Sequence, residues 1–158
     1  MKWRKTSVMV GIVVVGVLIA LAVLKPRLDR GSGRLLRPDD AQLVAQGRQV
    51  YAARCAACHG QRLEGQPNWR SPGPDGRFPA PPHDASGHTW HHTDDLPFRI
   101  TKFGVAKAAK LKDHPSAMPA FEGQLSDQEI VATLSWIKSQ WPPQIRARHD
   151  RMNEPAQP

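Results

Sequence analysis

Both cysteines of this 158-residue chain fall inside one six-residue stretch, CAACHG, Cys55 to Gly60, with a histidine directly after the second. In a helical turn Cys55, Cys58 and His59 stand at i, i+3 and i+4, so two sulfurs and an imidazole share one face. Such a face suits a redox dithiol, half of a zinc site, or the attachment point of a c-type haem. A Cys55–Cys58 disulfide, or two buried thiols, is the plain alternative. The surrounding pattern has to choose.

That pattern is helical. The first segment starts near Asp39 or Asp40, whose carboxylates suit a helix N-terminus. It carries Leu43, Val44, Gly47, Val50 and Tyr51 at i, i+3/i+4 spacing and runs into the CAACH motif. A second helix begins at Asp94 or Asp95, tolerates Pro97 in its first turn, and presents Leu96, Ile100 and Phe103 before Gly104. The third is the best marked: SDQE at Ser126 to Glu129 is a capping box. Ile130, Leu134, Ile137 and Trp141 then form one apolar stripe, which Pro142 and Pro143 end. No stretch alternates as a strand, and no internal repeat is present. The sequence predicts an all-α domain with long loops over residues 39–141.

A thioredoxin-type dithiol belongs beside a βαβ pattern, and a structural zinc site needs a second pair of ligands; neither occurs here. Haem remains. Cys55 and Cys58 can bond the two vinyl-derived carbons at the porphyrin edge while His59 reaches iron, and Gly60 lets the chain turn away in a left-handed conformation. Iron held by His59 still has an open side. Met1 and Met9 lie in the N-terminal segment and Met152 near the C-terminus, which leaves Met118, in the loop MPAF before the closing helix. His114, four residues earlier, is its rival.

Residues 8–24, VMVGIVVVGVLIALAVL, contain no polar side chain. Seventeen residues at roughly 1.5 Å rise reach about 26 Å, near the ~30 Å hydrocarbon core of a bilayer. With the basic flank of residues 1–7 and Trp3 as an interfacial anchor, the stretch is expected to be an uncleaved transmembrane helix. The alternative is a signal peptide cut near Ala20–Ala22. Residues 25–38 read as a charged, flexible linker and residues 142–158 as a disordered tail. The net charge of +8 at first suggests nucleic acid. However, residues 1–37 carry eight Lys/Arg against one Asp, and residues 38–141 carry eleven of each sign. The excess charge therefore belongs to the N-terminal segment, and nucleic-acid binding is set aside. The basic residues after the apolar stretch outnumber those before it, so the positive-inside count alone would put the C-terminal side in the cytoplasm.

Taken together, GRQVYAARCAACHG, DDLPFRITKFGV and MPAFEGQLSDQEIVATLSWIK resemble the monohaem class I cytochromes c, here with an N-terminal membrane anchor, over about residues 40–141. The resemblance implies a class I cytochrome c-like fold: three or more helices around one covalently bound haem c. It implies thioether bonds from Cys55 and Cys58, His59 as proximal ligand and Met118 as distal ligand. It also implies that the first and last helices cross with Gly47 and Tyr51 against the Ile130–Ile137 stripe. Haem attachment in that family takes place outside the cytoplasmic membrane. This overrides the charge count and puts the domain in the periplasm or an equivalent space.

Four of the seven histidines, His83, His88, His91 and His92, lie within ten residues of one loop, around Trp90. Clustered imidazoles bind Cu(II) tightly, so a second metal site is one reading. The other is that the loop wraps the haem edge, with Trp90 or a histidine donating to the propionates. Lys102, Lys107, Lys110 and Lys112 form either a basic docking rim or a solvated face. Trp136 and Trp141 are read as core or interface packing. The expected function is single-electron transfer between redox proteins at the membrane, iron cycling between Fe(II) and Fe(III), with no small-molecule substrate and no enzymatic reaction. The alternatives are a haem-based ligand-binding sensor or peroxidase-like enzyme in which Met118 is absent or displaceable, and a copper-handling protein using the histidine loop.

Overall fold

The structure, a computed structural model, describes residues 34–112 and 114–154. The expected anchor at 8–24, the flank at 1–7 and most of the expected linker lie outside the described residues. Among the described residues no helix is long and apolar enough to cross a membrane. The described residues form six helices and no strand: α1 (Ala41–Arg54), α2 (Ala56–His59), α3 (Asp95–Phe103), α4 (Val105–Ala108), α5 (Asp127–Ser139) and α6 (Pro143–Met152). A 3-10 turn covers Thr89–His91.

Helix α1 starts where Asp40 Oδ1 accepts the Leu43 N–H at 3.0 Å, satisfying one of the orphan donors of a helix N-terminus. It buries Leu43, Gly47 and Tyr51, one residue per turn of the same face. That face meets α5. A Cβ on Gly47 would collide with the backbone carbonyl of Ala132, so the crossing needs a residue without one. Beside it the Tyr51 and Trp136 rings lie 4.6 Å apart, amid a core of Leu63, Phe121, Leu125, Ile130, Leu134, Ile137 and Trp141. Helix α5 carries the expected capping box: Ser126 Oγ accepts the Glu129 N–H at 3.2 Å, and Glu129 Oε2 accepts the Ser126 N–H at 2.8 Å. Trp136 and Trp141 are both core residues.

Asp94 precedes α3 without capping it. Its carboxylate is buried and turned elsewhere, accepting the Leu36 N–H at 3.0 Å. The chain just before α1 is thereby fixed, although residues 34–38 were expected to belong to a flexible linker. Leu36 is buried in the core, the Arg37 N–H donates to Ser135 Oγ at 3.0 Å, and Arg34 pairs with Asp150 and Glu154.

The C-terminal expectation also needs correction. Pro142 and Pro143 do end α5, but Pro143 then opens α6, where a residue lacking an N–H is tolerated. Residues 143–152 are therefore helical and docked, and the disordered reading fails for them. The contacts that dock α6 are mainly polar, which is why hydropathy missed it. Lys138 Nζ on α5, fully buried, lies 2.6 Å from Asp150 Oδ1. His149, also fully buried, packs edgewise on Trp141 with ring centroids 5.0 Å apart and approaches Asp94 Oδ1 at 3.5 Å. Asn153 Oδ1 accepts the Asp94 N–H at 2.8 Å. Ile145 adds one apolar contact to the core.

Candidate functional site

The CAACH motif sits where α1 gives way to the single turn of α2. The N–H groups of Cys58 and His59 both donate to the Cys55 carbonyl, at 3.1 and 3.0 Å, so the i, i+3, i+4 arrangement is the one the spacing predicts. Gly60 follows with φ of 82° and ψ of 150°. The positive φ was expected; the extended ψ differs from a left-handed helical cap and belongs to a region that essentially only glycine occupies. This turn is held from outside by Tyr51, whose hydroxyl donates to the Gly60 carbonyl at 2.8 Å.

Cys55, Cys58 and His59 line a cavity of about 870 Å³. Its walls come from the end of α1, the loop from Gln66 to His83, α3, the loop around Met118, and the inner face of α5 through Thr133, Leu134 and Ile137. The volume lies toward the upper end of the ~300–1,000 Å³ typical of ligand and cofactor sites. Both cysteines are free. Burial, with a smaller contribution from Cys58, pushes the Cys55 thiol up to about 11, so it is held as the neutral thiol. His59 is buried, and its Nδ1 lies 2.9 Å from the Pro81 carbonyl oxygen. Burial lowers its pKa below the ordinary value and so favours the neutral imidazole, while that hydrogen bond opposes the shift in part. With Nδ1–H committed to Pro81, Nε2 is the ring's donor atom for a metal.

Met118 lines the same cavity and packs partly buried against the core. Its loop is fastened to α3 just beyond it, by Phe121 N–H to the Thr101 carbonyl at 3.0 Å and Glu122 N–H to the Lys102 carbonyl at 2.9 Å. His114 also lines the cavity. The donor set fits a c-type haem: two free thiols and a neutral imidazole on one wall, with a thioether reaching the same space.

The histidine loop does not gather into a second metal site. Among the described residues no three His, Cys, Asp or Glu side chains converge to hold a metal ion. His83 turns inward and stacks on His59, ring centroids 4.1 Å apart. His88 stacks on Trp69 at 5.3 Å and meets His92 edgewise at 5.6 Å. His91 leans on Trp90 at 3.7 Å. Trp90 and His91 do not line the cavity, whereas His83, His88 and His92 do. The Trp90 indole N–H is spent on the Ala85 carbonyl at 3.3 Å, which argues against it as a donor to a propionate. Burial and the neighbouring imidazoles lower the pKa values of His83, His88 and His92. Of the four lysines, Lys102 pairs with Asp127 at 2.6 Å and Lys107 with Glu122 at 3.7 Å, so half of the expected rim is neutralised within the chain.

Sequence reasoning missed the Pro81 carbonyl and the inward turn of His83. Nothing local marks either, because each acts on His59 from more than twenty residues away. Arg54, Arg70 and Arg77, which also border the cavity, were likewise missed. The family model for cytochrome c matches residues 44–141. No solved structure matches the chain.

Proposed function

The chain belongs to the cytochrome c family, and from that premise we propose that it is a membrane-tethered class I carrier with His59 and Met118 as axial ligands. Family membership supports a covalently held haem c and haem-based electron transfer, and the reading of a carrier working with redox protein partners, in preference to an enzyme, builds on that support. The finer reading adds that Cys55 and Cys58 form the thioether bonds. It also makes residues 8–24 the anchor, with the haem domain on the outer, periplasmic side of the cytoplasmic membrane.

One observation carries the ligand assignment: the neutral His59 imidazole, fixed through Nδ1 by Pro81, shares a single cavity with both free thiols and Met118. When bound, the haem supplies a one-electron Fe(II)/Fe(III) couple. The residues of the chain do the rest. His59 and Met118 offer two uncharged donors, which would hold the haem iron and leave no coordination site for a substrate. Leu134, Ile137 and Phe121 line the space with apolar surface that excludes water. The soft Met118 sulfur favours the reduced state relative to a second imidazole.

Replacing Met118 by His tests this directly. Met118→His should lower the midpoint potential while the haem stays attached, and the reduced wild-type protein should refuse carbon monoxide. An unchanged potential would mean that Met118 is not a ligand and would turn attention to His114. Prompt carbon monoxide binding by the native reduced protein would favour a sensor or a peroxidase-like enzyme.

A further inference from the structure

His83 occupies a position that neither the metal reading nor the propionate reading anticipates. Its ring lies over the face of His59, centroids 4.1 Å apart and planes inclined by 26°. Three contacts hold it there. His83 Nδ1 lies 2.7 Å from Thr89 Oγ1. Its backbone N–H donates to the Leu63 carbonyl at 2.8 Å, and its carbonyl accepts the Trp141 indole N–H at 2.7 Å. Two residues earlier, the Pro81 carbonyl takes the Nδ1 edge of His59.

One three-residue segment therefore restrains the same imidazole in two different ways. The hydrogen bond to Pro81 fixes where Nδ1 points but leaves the ring able to swing about the line of that bond. A flat group pressed on the ring face removes the swing. Partners of this kind, one step removed from a metal, set ligand orientation and tune the metal's properties. Trp141 ties the segment to the end of α5, so the restraint is backed by the core and does not depend on the loop alone.

We propose that His83 is a positioning residue for His59, its stacked ring setting the plane in which the His59 imidazole is presented to the haem. This rests on the reading that His59 is the proximal ligand. The ring plane of an axial imidazole governs how unpaired spin spreads over a ferric porphyrin, so the haem-methyl paramagnetic shifts report it independently of electron-transfer activity.

The experiment uses the purified ferric holoprotein and two substitutions. His83→Leu keeps apolar bulk but removes the flat ring, and His83→Phe keeps a flat ring without nitrogens. We expect His83→Leu to change the order or spread of the four haem-methyl shifts and to move the midpoint potential, and His83→Phe to restore both toward wild type. Thr89→Val, which releases His83 Nδ1, should move the shifts in the same direction as His83→Leu by a smaller amount, and it provides the readout if the Leu variant does not fold. Wild-type shifts and potential in His83→Leu, even with lowered thermal stability, would overturn the proposal and leave His83 as packing. Wild-type shifts in Thr89→Val, should the Leu variant not fold, would overturn it equally. Failure of the underlying reading is distinguishable, because a wild-type ferric spectrum lacking an axial histidine signature would show it before any His83 variant is made.

Discussion

At the scale of single residues, the site depends on positions where the chemistry admits no substitute. Gly47 is the clearest structural case. The α1 face that carries Tyr51 toward the motif approaches α5 so closely that any Cβ at position 47 meets the Ala132 carbonyl, a backbone atom that cannot swing aside. Gly47→Ala would gain helix propensity, worth up to about 1 kcal/mol, yet must push the two helices apart. Overpacking of this kind costs typically ~1–3 kcal/mol, and here the obstruction is backbone, so the loss wins. Denaturant unfolding should show a net destabilisation with an unchanged slope; equal or greater stability would mean that the helix crossing yields easily. Spacing placed Gly47 on the first helix, but its position at the helix crossing was legible only through the family resemblance. The two restraints on His59 could not be read at all, because a carbonyl acceptor and a ring face leave no trace in composition or spacing.

Among the elements, legibility followed the range of the determining contacts. Helices α1 and α5 were readable because their signals are local: an Asp at the N-cap of one, a Ser/Glu capping box on the other, and apolar residues returning every turn. The start of α3 was readable too, although Asp94 is occupied with Leu36 and His149 and does not cap it. Helix α6 was missed because long-range polar contacts dominate its docking. His149, Asp150 and Asn153 find Asp94 and Lys138 across gaps of twelve to fifty-nine residues. This docking predicts a dependence on pH. Burial is the main cause that lowers the His149 pKa below its ordinary value of 6.5, with Lys138 adding to it and Asp94 and Asp150 opposing. The unfolded chain therefore takes up the proton first. The stability contributed by neutral His149 is complete above about pH 6.5 and is lost as the pH falls through and below that value. His83, His88 and His92 are depressed in the same way, so the useful quantity is the difference between wild type and His149→Gln. That difference in thermal midpoint should shrink on going from pH 7.5 to pH 5.5; a constant gap would mean that His149 does not titrate on folding.

For the molecule as a whole, the described helices and loops line a large cavity, and the groups that face it are those a covalently attached haem requires. A domain of about a hundred residues has a modest core of its own, and filling this cavity supplies apolar contacts that its walls otherwise lack. Stability and function are thereby coupled through the same group. Placement in the cell depends on residues 8–24. If they anchor the chain, the protein should remain in the membrane fraction after an alkaline carbonate wash, at its full length by mass. A soluble form shortened by about twenty-two residues, the length of a segment cut after Ala22, would identify a cleaved signal instead. The central claim is that a single haem is bonded through Cys55 and Cys58. It is tested most directly by extracting the purified protein with acidified butanone and recording the reduced-minus-oxidised absorption spectrum of the polypeptide fraction. The haem bands should stay with the polypeptide; bands that pass into the organic layer, or a protein colourless from the outset, would contradict the account.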